Sequence, residues 1–434
     1  YMAIAYSGRA YVPLDPAAPA EKLGKIASNA SLKLILGPES SREHILTVGE
    51  DIAFLVPDNA YVSDDVCTKG LTSCSKDSPL YIIYTSGSTG TPKGVLKSHG
   101  AAISFIEAYV DTFDFDDEDI IGNQTPFFFD ASAKDILLCL KKAVTMEILP
   151  TEFFTMTPKL INYMNETGVT FISWVPSALS VVVQLNTFKA VMPTTLKKVF
   201  FVGEVMPMKH LNSWRAALPD LTYVNLYGQS ELAGICSFFP VTGEWDAAAT
   251  LPIGKPLKNT KIYLINELGG IITEADKTGE MYLESDALAL GYYNDPEKTA
   301  AAFVMRDFDG QGLRRVFKTG DLARYDKDGN IVFASRNDFQ IKHMGHRIEL
   351  GEIETAADSL DVVARSCCLY NAEKGKIVIF IQPAQGAEVT VADLKGKFKE
   401  ILSSYMVPNK IVILEALPLN ANQKIDRQKL KEQL

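Results

Sequence analysis

No apolar run in the 434-residue chain reaches the roughly 18 residues needed to cross a bilayer. No charged-then-apolar leader opens it either, so a cytoplasmic protein without a membrane partner is expected. The six cysteines form no Cys-x-x-Cys pair and no cluster with the five histidines, which excludes the common zinc-binding and redox motifs. Cys367 and Cys368 fall in an apolar, strand-like run, where buried reduced thiols are expected. Positive charge is not in excess: the formal net charge is −10, whereas nucleic-acid binding needs a concentrated basic face. No nucleic-acid partner is expected, and any phosphate must be held by a local site. Internal repeats are absent, and only the polar stretch 68–78 reads as a flexible linker.

What is present exceeds the size at which one hydrophobic core keeps growing, so two or three domains are expected. Up to about residue 300, β-branched runs (32–36, 80–84, 170–174, 198–202 and 222–226) alternate with amphipathic stretches. That alternation predicts an α/β fold with largely parallel sheets. Between Lys261 and Ala334 the strands crowd together around turn clusters such as DKDGN (326–330), predicting a smaller β-rich subdomain. Beyond about Asp338 comes a short α+β pattern of helix, two strands, helix and a charged last helix. The expected division is a large domain, 1–337, and a small mobile C-terminal domain, 338–434. Residues 1–15 read as the end of an apolar helix running into a strand with no capping signal, so the large domain is expected to be incomplete at its start.

Directly after the apolar run 80–84 comes TSGSTGTPKGV (85–95), which contains Thr85, Ser86, Gly87, Ser88, Thr89, Gly90 and Lys93. Glycine lets consecutive N–H groups turn toward an anion, hydroxyls add donors, and the lysine supplies a cation. Phosphate binding is the expected chemistry. The pattern is not the P-loop, because Gly-Lys-Ser/Thr with its magnesium-binding hydroxyl is missing: Pro92 precedes Lys93 and Gly94 follows it. A plain surface turn accounts for the composition but not for the position between a buried strand and the helix expected near Ser98.

At this loop the chain resembles the adenylate-forming superfamily, and further motifs resemble its nonribosomal peptide synthetase adenylation domains. In order they are GRAYVPLDP (8–16), FFFDAS (127–132), NLYGQSE (225–231), GEMYLESDALALGYYNDPEKTAAAF (279–303), KTGDLARYDKDGNI (318–331), SRNDFQIKHMGHRIELGEIE (335–354) and LPLNANQKIDR (417–427). The resemblance implies an AMP-forming ligase that activates an amino acid carboxylate with ATP and Mg2+. It further implies transfer to the phosphopantetheine thiol of a carrier protein, with neighbouring synthetase domains as partners.

Carried onto this sequence, the family's roles place Tyr227 flat against adenine and Asn225 on its edge, with Gly228 and Ser230 in the same nucleotide-binding turn. Glu231 is implied to hold magnesium through a hard carboxylate oxygen. Proline usually stands where Gln229 does, a departure expected to alter loop stiffness more than chemistry. Asp321 is implied to accept both ribose hydroxyls, and Arg336 to donate near the ribose and phosphates. Thr85, Glu231 and Lys424 are the implied catalytic residues. The substrate carboxylate must attack the α-phosphate, so two anions meet, and a lysine bridging them stabilises the charge growing in the transition state. Gln423 replaces the glycine that usually precedes this lysine. Asp338 matches the family's hinge, about which the small domain is expected to exchange Lys424 for the loop at Gly345, where the carrier thiol arrives. His343-Met344-Gly345 replaces the usual Ile-Arg-Gly there, which touches carrier docking. His343 and His346 are expected to be exposed loop residues rather than metal ligands.

For the substrate, Asp130 is implied to pair with an α-ammonium, which favours an α-amino acid over a simple acyl group. The implied pocket comprises Asp130, Ala131, Lys134, Ser173, Phe200, Val202, Leu226, Gly234 and Ile235. Lys134 is a cation among mostly apolar or small residues. If it faces the ligand it calls for an acidic side chain, glutamate first; at spacing i, i+4 it could instead pair with Asp130 along one helix face. Two further readings stay open: a free-standing ligase charging a carrier protein with D-alanine or an acyl group, and a catalytically inactive docking domain.

Overall fold

The computed structural model describes the chain apart from residues 47, 50, 58–73, 86–91, 247, 248, 309, 337–339, 385 and 420–424, and apart from the side chain of Leu46. Two compact units emerge. One comprises Tyr1–Pro13, Ser63–Ile83 and Val95–Asp338; the other comprises Leu14–Val62, Tyr84–Gly94 and Phe339–Leu434. Among the described residues, no helix is long and apolar enough to cross a membrane.

The first unit is built on a seven-stranded sheet. Its spatial order is Lys255–Pro256, Ile235–Pro240, Thr222–Gly228, Lys198–Val202, Phe171–Trp174, Ile120–Asn123 and Thr145–Ile148. The last five are mutually parallel; Ile235–Pro240 pairs antiparallel with Thr222–Gly228, and Lys255–Pro256 antiparallel with Ile235–Pro240. Strands such as Phe171–Trp174 are buried along their whole length, as a sheet covered on both faces requires. Side-chain alternation divides them between two cores. Phe171, Phe200, Val202, Val224 and Leu226 pack on one face, whereas Ile172, Trp174, Val199, Phe201 and Tyr223 pack on the other. Helices His99–Thr112 and Ala131–Lys142 contribute Phe105, Tyr109 and Leu138 to the first core. Helices Thr157–Glu166, Pro176–Gln184 and Met208–Ala217 fill the second with Leu160, Leu179 and Trp214.

The β-rich part is an antiparallel sheet centred on the long strand Arg314–Tyr325. That strand pairs with Gly279–Ser285 on one side, and with Phe303–Arg306 and Ile331–Arg336 along successive parts of the other. Within this pairing Asp321 lies directly across from Arg336.

In the second unit the hairpin Gln340–His343/His346–Glu349 leads into helix Leu350–Asp358. A three-stranded sheet follows, ordered Val363–Asn371, Lys376–Pro383, Lys410–Ile413. Helix Val391–Ile401 opens with a capping box in which Thr390 and Asp393 satisfy each other's backbone N–H groups. Arg427 grips both carboxylate oxygens of Glu354 at 2.7 and 2.8 Å and the Cys368 carbonyl at 3.0 Å, anchoring the last helix, Arg427–Lys431. Burial of the Glu354 carboxyl raises its pKa despite that pairing. Cys367 and Cys368 are buried free thiols, with burial raising both pKa values.

The two histidines correct the expectation of exposed loop residues. They pair across the hairpin; His343 is buried, and the His346 ring stacks on Tyr405 at 3.7 Å. Burial, with His343 and Lys22 nearby, lowers the His346 pKa to about 3. The physical reason is the tightness of the turn: Met344 and Gly345 both take positive φ (51° and 79°), so the residues on either side are already strand and pack inward.

Candidate functional site

The residues expected on the nucleotide side converge near the end of strand Thr222–Gly228. Strand Thr222–Gly228 delivers Asn225 and Tyr227, and the turn after it delivers Gln229, Ser230 and Glu231, all buried. The Tyr227 hydroxyl donates to Asp321 Oδ2, while Arg336 Nη1 donates to Asp321 Oδ1. Burial first, and Asp321 second, push the Tyr227 pKa well above its ordinary value, so the phenol remains a donor. The Asn225 side-chain amide is engaged by the Pro252 carbonyl at 2.8 Å. Thr319 fixes the strand beneath, its hydroxyl accepting from Asp321 N at 2.9 Å and donating to Met281 O at 2.7 Å.

Gln229 makes polar contacts that the sequence did not reveal. Its Nε2 donates to Asp321 Oδ2 at 2.5 Å and to the Tyr227 hydroxyl at 2.9 Å. Proline offers neither bond. Gly228 makes the turn possible: a Cβ there would lie 2.2 Å from the Gly234 carbonyl oxygen.

Asp130 occupies the N-cap position of helix Ala131–Lys142, yet its side chain makes no capping bond. An aspartate at that position ordinarily accepts from the helix's first N–H groups. Here the carboxylate accepts from the Ser230 hydroxyl instead, one residue before Glu231. Glu231 is fully buried and accepts from the Tyr292 hydroxyl at 2.7 Å.

Lys97 was missed in the sequence. It is 1% exposed, and its Nζ has no hydrogen-bond partner among the described residues. Burial drives its pKa down to about 7, partly offset by the carboxylates of Glu231 and Asp130. The available signal was a lysine directly after Val95 and Leu96, just past the expected phosphate loop.

The residues expected to line the substrate pocket fall largely on one face of the seven-stranded sheet. Ser173 pairs with Phe200, and Val202 with Leu226; Phe200, Val202, Leu226 and Ile235 share one core. Phe200 is wedged among Phe113 and Phe171 at 4.8 and 4.9 Å between ring centroids. Gly234 lets Phe105 approach, since a Cβ would lie 2.4 Å from its ring. Ala131 and Lys134 come from the helix on this face. The Lys134 ammonium meets both oxygens of Asp135 at 3.1 Å, the Ala131 carbonyl at 3.1 Å and the Ser173 carbonyl at 3.3 Å. It is therefore turned to its neighbour Asp135 rather than along the helix to Asp130. Asn123 Nδ2 completes this buried cluster by donating to Asp135 at 2.9 Å.

Thr85 and Lys93 flank the expected phosphate loop, Thr85 ending strand Pro79–Thr85 and Lys93 opening strand Lys93–Ser98. The Thr85 hydroxyl is buried with no hydrogen-bond partner among the described residues. Ser86, Gly87, Ser88, Thr89, Gly90, Asp338 and Lys424 lie outside the described residues, as do 68–73 of the expected linker. Gly345 sits in the hairpin turn described above. A magnesium ion fits the donor chemistry at Glu231, a buried carboxylate offering hard oxygen.

Comparison with known proteins places these features in a lineage. The AMP-binding enzyme family matches residues 1–293, and its C-terminal domain matches residues 352–424. The chain is 31% identical to tyrocidine synthase 3 of Brevibacillus parabrevis, over 99% of this chain but only 6% of that protein. It is also 32% identical to zwittermicin A synthase ZmaJ of Bacillus cereus, over 98% of this chain and 81% of that one. Holo-PA1221, an NRPS protein containing adenylation and PCP domains, superposes with a TM-score of 0.82 at 25% identity, covering 100% of this chain and 72% of that one. The motif residues, the fold and these matches agree: the chain belongs to the AMP-binding enzymes, the adenylate-forming superfamily, as an adenylation domain of the nonribosomal peptide synthetase kind.

Proposed function

We propose that this chain activates an α-amino acid with ATP and Mg2+, forming an aminoacyl-adenylate and pyrophosphate, and passes the aminoacyl group to the phosphopantetheine thiol of a carrier protein. One observation carries the reading: Asp130 forgoes the helix cap that its position offers and turns to Ser230, beside the buried Glu231. An anionic partner for an ammonium and a carboxylate suited to magnesium thus meet at Ser230–Glu231, and three residues before Ser230 the same stretch supplies Tyr227 to Asp321. Lys424 is assigned to adenylation, Asp338 to the hinge, and Gly345 to the loop where the thiol arrives, with a carrier and neighbouring synthetase domains as partners in the cytoplasm. These assignments take their support from the family.

For the side chain, glutamate is the reading that a pocket lysine motivates. The Lys134–Asp135 ion pair favours a second one, an uncharged side chain, because the buried ammonium already has its counterion. Amino-acid-dependent ATP–pyrophosphate exchange tests both levels. Exchange dependent on some amino acid is expected, and none with any amino acid overturns the reaction. If Lys134→Leu sharply lowers glutamate exchange while raising methionine or leucine, the lysine reads an acid. A uniform loss across glutamate, glutamine, methionine and alanine withdraws glutamate.

A further inference from the structure

Counting acceptor positions around Asp321 leaves one buried group unexplained. A carboxylate oxygen offers about two lone-pair sites. Asp321 Oδ2 already accepts from the Tyr227 hydroxyl and from Gln229 Nε2, so both of its sites are filled. Oδ1 accepts from Arg336 alone among the described residues and retains one open site. The other end of the Gln229 amide, Oε1, is buried with no partner among the described residues. Its orientation follows from the network: exchanging amide oxygen and nitrogen would set Oε1 against an acceptor-only carboxylate. Leaving a buried acceptor unmade is costly, and such an orphan in a site calls for an explanation. A carboxylate oxygen and an amide oxygen on two hydrogen-bonded side chains, each with open acceptor capacity, suit two neighbouring hydroxyls.

We infer that Gln229 is a nucleotide-reading residue: one of the two vicinal ribose hydroxyls donates to Asp321 Oδ1 and the other to Gln229 Oε1, while Gln229 Nε2 keeps Oδ2 occupied. This rests on the nucleotide reading of the Asp321 site proposed above. It departs from the expectation that Asp321 alone receives both hydroxyls, and it gives the replacement of the usual proline a chemical role.

The test is equilibrium binding of ATP, 2′-deoxy-ATP and 3′-deoxy-ATP by calorimetry, without amino acid, to the unmodified protein and to Gln229→Met and Gln229→Ala. The unmodified protein is expected to bind both deoxynucleotides roughly tenfold more weakly than ATP, one hydrogen bond being lost in each case. In both variants ATP binding should fall by about the same factor, and discrimination against one deoxynucleotide should vanish while the other is still rejected. Both discrimination ratios unchanged overturn the inference, since Gln229 then only supports the turn. Both ratios collapsing together also overturn it, since Gln229 then acts only by positioning Asp321. Two variants of different size guard against a local packing artefact, and matching thermal midpoints verify folding. If the unmodified protein binds no nucleotide, the proposed function fails instead, a separate outcome.

Discussion

Lys134 and Asp135, adjacent in sequence, form a salt bridge at 3.1 Å with side chains 2% and 3% exposed. Neighbouring helix residues ordinarily point apart; here the lysine stem is long enough to fold back and place its ammonium between Asp135 and the Ser173 carbonyl. The pair sits beneath the sheet face expected to bind the substrate side chain, so it bears on stability and specificity at once.

Removing one member strands the other in a poorly solvated place, which typically costs about 3 to 5 kcal/mol. Lys134→Met is therefore expected to lower the unfolding midpoint clearly, and the double variant Lys134→Met/Asp135→Asn to recover most of the loss. A double-mutant cycle in denaturant measures the coupling. Additive losses would remove the ion pair from the account of the pocket.

Asp130→Asn keeps a group able to bond Ser230 while deleting the charge. The Michaelis constant for the amino acid is expected to rise by roughly 10² or more, since a desolvated ammonium loses its counterion, with ATP affinity unchanged. Kinetics paired with nucleotide binding check the split. A parallel loss for ATP would make Asp130 a structural residue.

Lys97 gives a pH dependence whose sign is fixed. Its folded pKa, about 7, lies below the roughly 10.4 of an unfolded lysine. Between these values the unfolded chain holds a proton that the folded chain does not, so stability rises with pH across that window and the full penalty persists below pH 7. Lys97→Met removes the penalty. It is expected to stabilise most at or below pH 7, with the advantage shrinking by up to about 1.4 kcal/mol per pH unit above it. Thermal midpoints of both proteins at pH 6.5, 7.5 and 8.5, values on the order of the window set by the two pKa values, read the trend. A constant gap would mean that Lys97 has a counterion.

The two half-reactions separate Lys424 from the rest. Lys424→Ala is expected to cut pyrophosphate exchange by roughly 10² to 10³, the usual loss for one oriented charge stabiliser, while transfer from preformed adenylate to a carrier thiol is spared. Equal losses in both steps would sink the assignment.

Much of this was legible in the chain. The β-branched runs that predict strands near 198–202 and 222–226 are strands Lys198–Val202 and Thr222–Gly228, because strands of a sheet covered on both faces are apolar along most of their length. Strand Lys410–Ile413 was not read, being four residues long just after Pro408. The site was legible as a set of residue types but not as a set of partners. Gln229 looks like a tolerated replacement until its amide is seen on Asp321, and Lys97 looks like strand alternation until its burial is known. Lys134 suggested a ligand or Asp130, since residue spacing carries no information about how far a long side chain bends.

Strand Thr222–Gly228 places Leu226, on the sheet face expected to contact the side chain of the substrate, directly between Asn225 and Tyr227. Backbone alternation sends Asn225 to the opposite face from Leu226, so under the proposed assignments one short ribbon would serve two different clients. A replacement at 226 that shifts the ribbon also shifts the phenol on Asp321. Under the proposed assignments, redesigning which monomer is chosen at that position is therefore mechanically coupled to how the energy-supplying nucleotide would be gripped. Changes from the helix side, at Ala131 or in the Lys134–Asp135 cluster, reach the same pocket face without touching that ribbon.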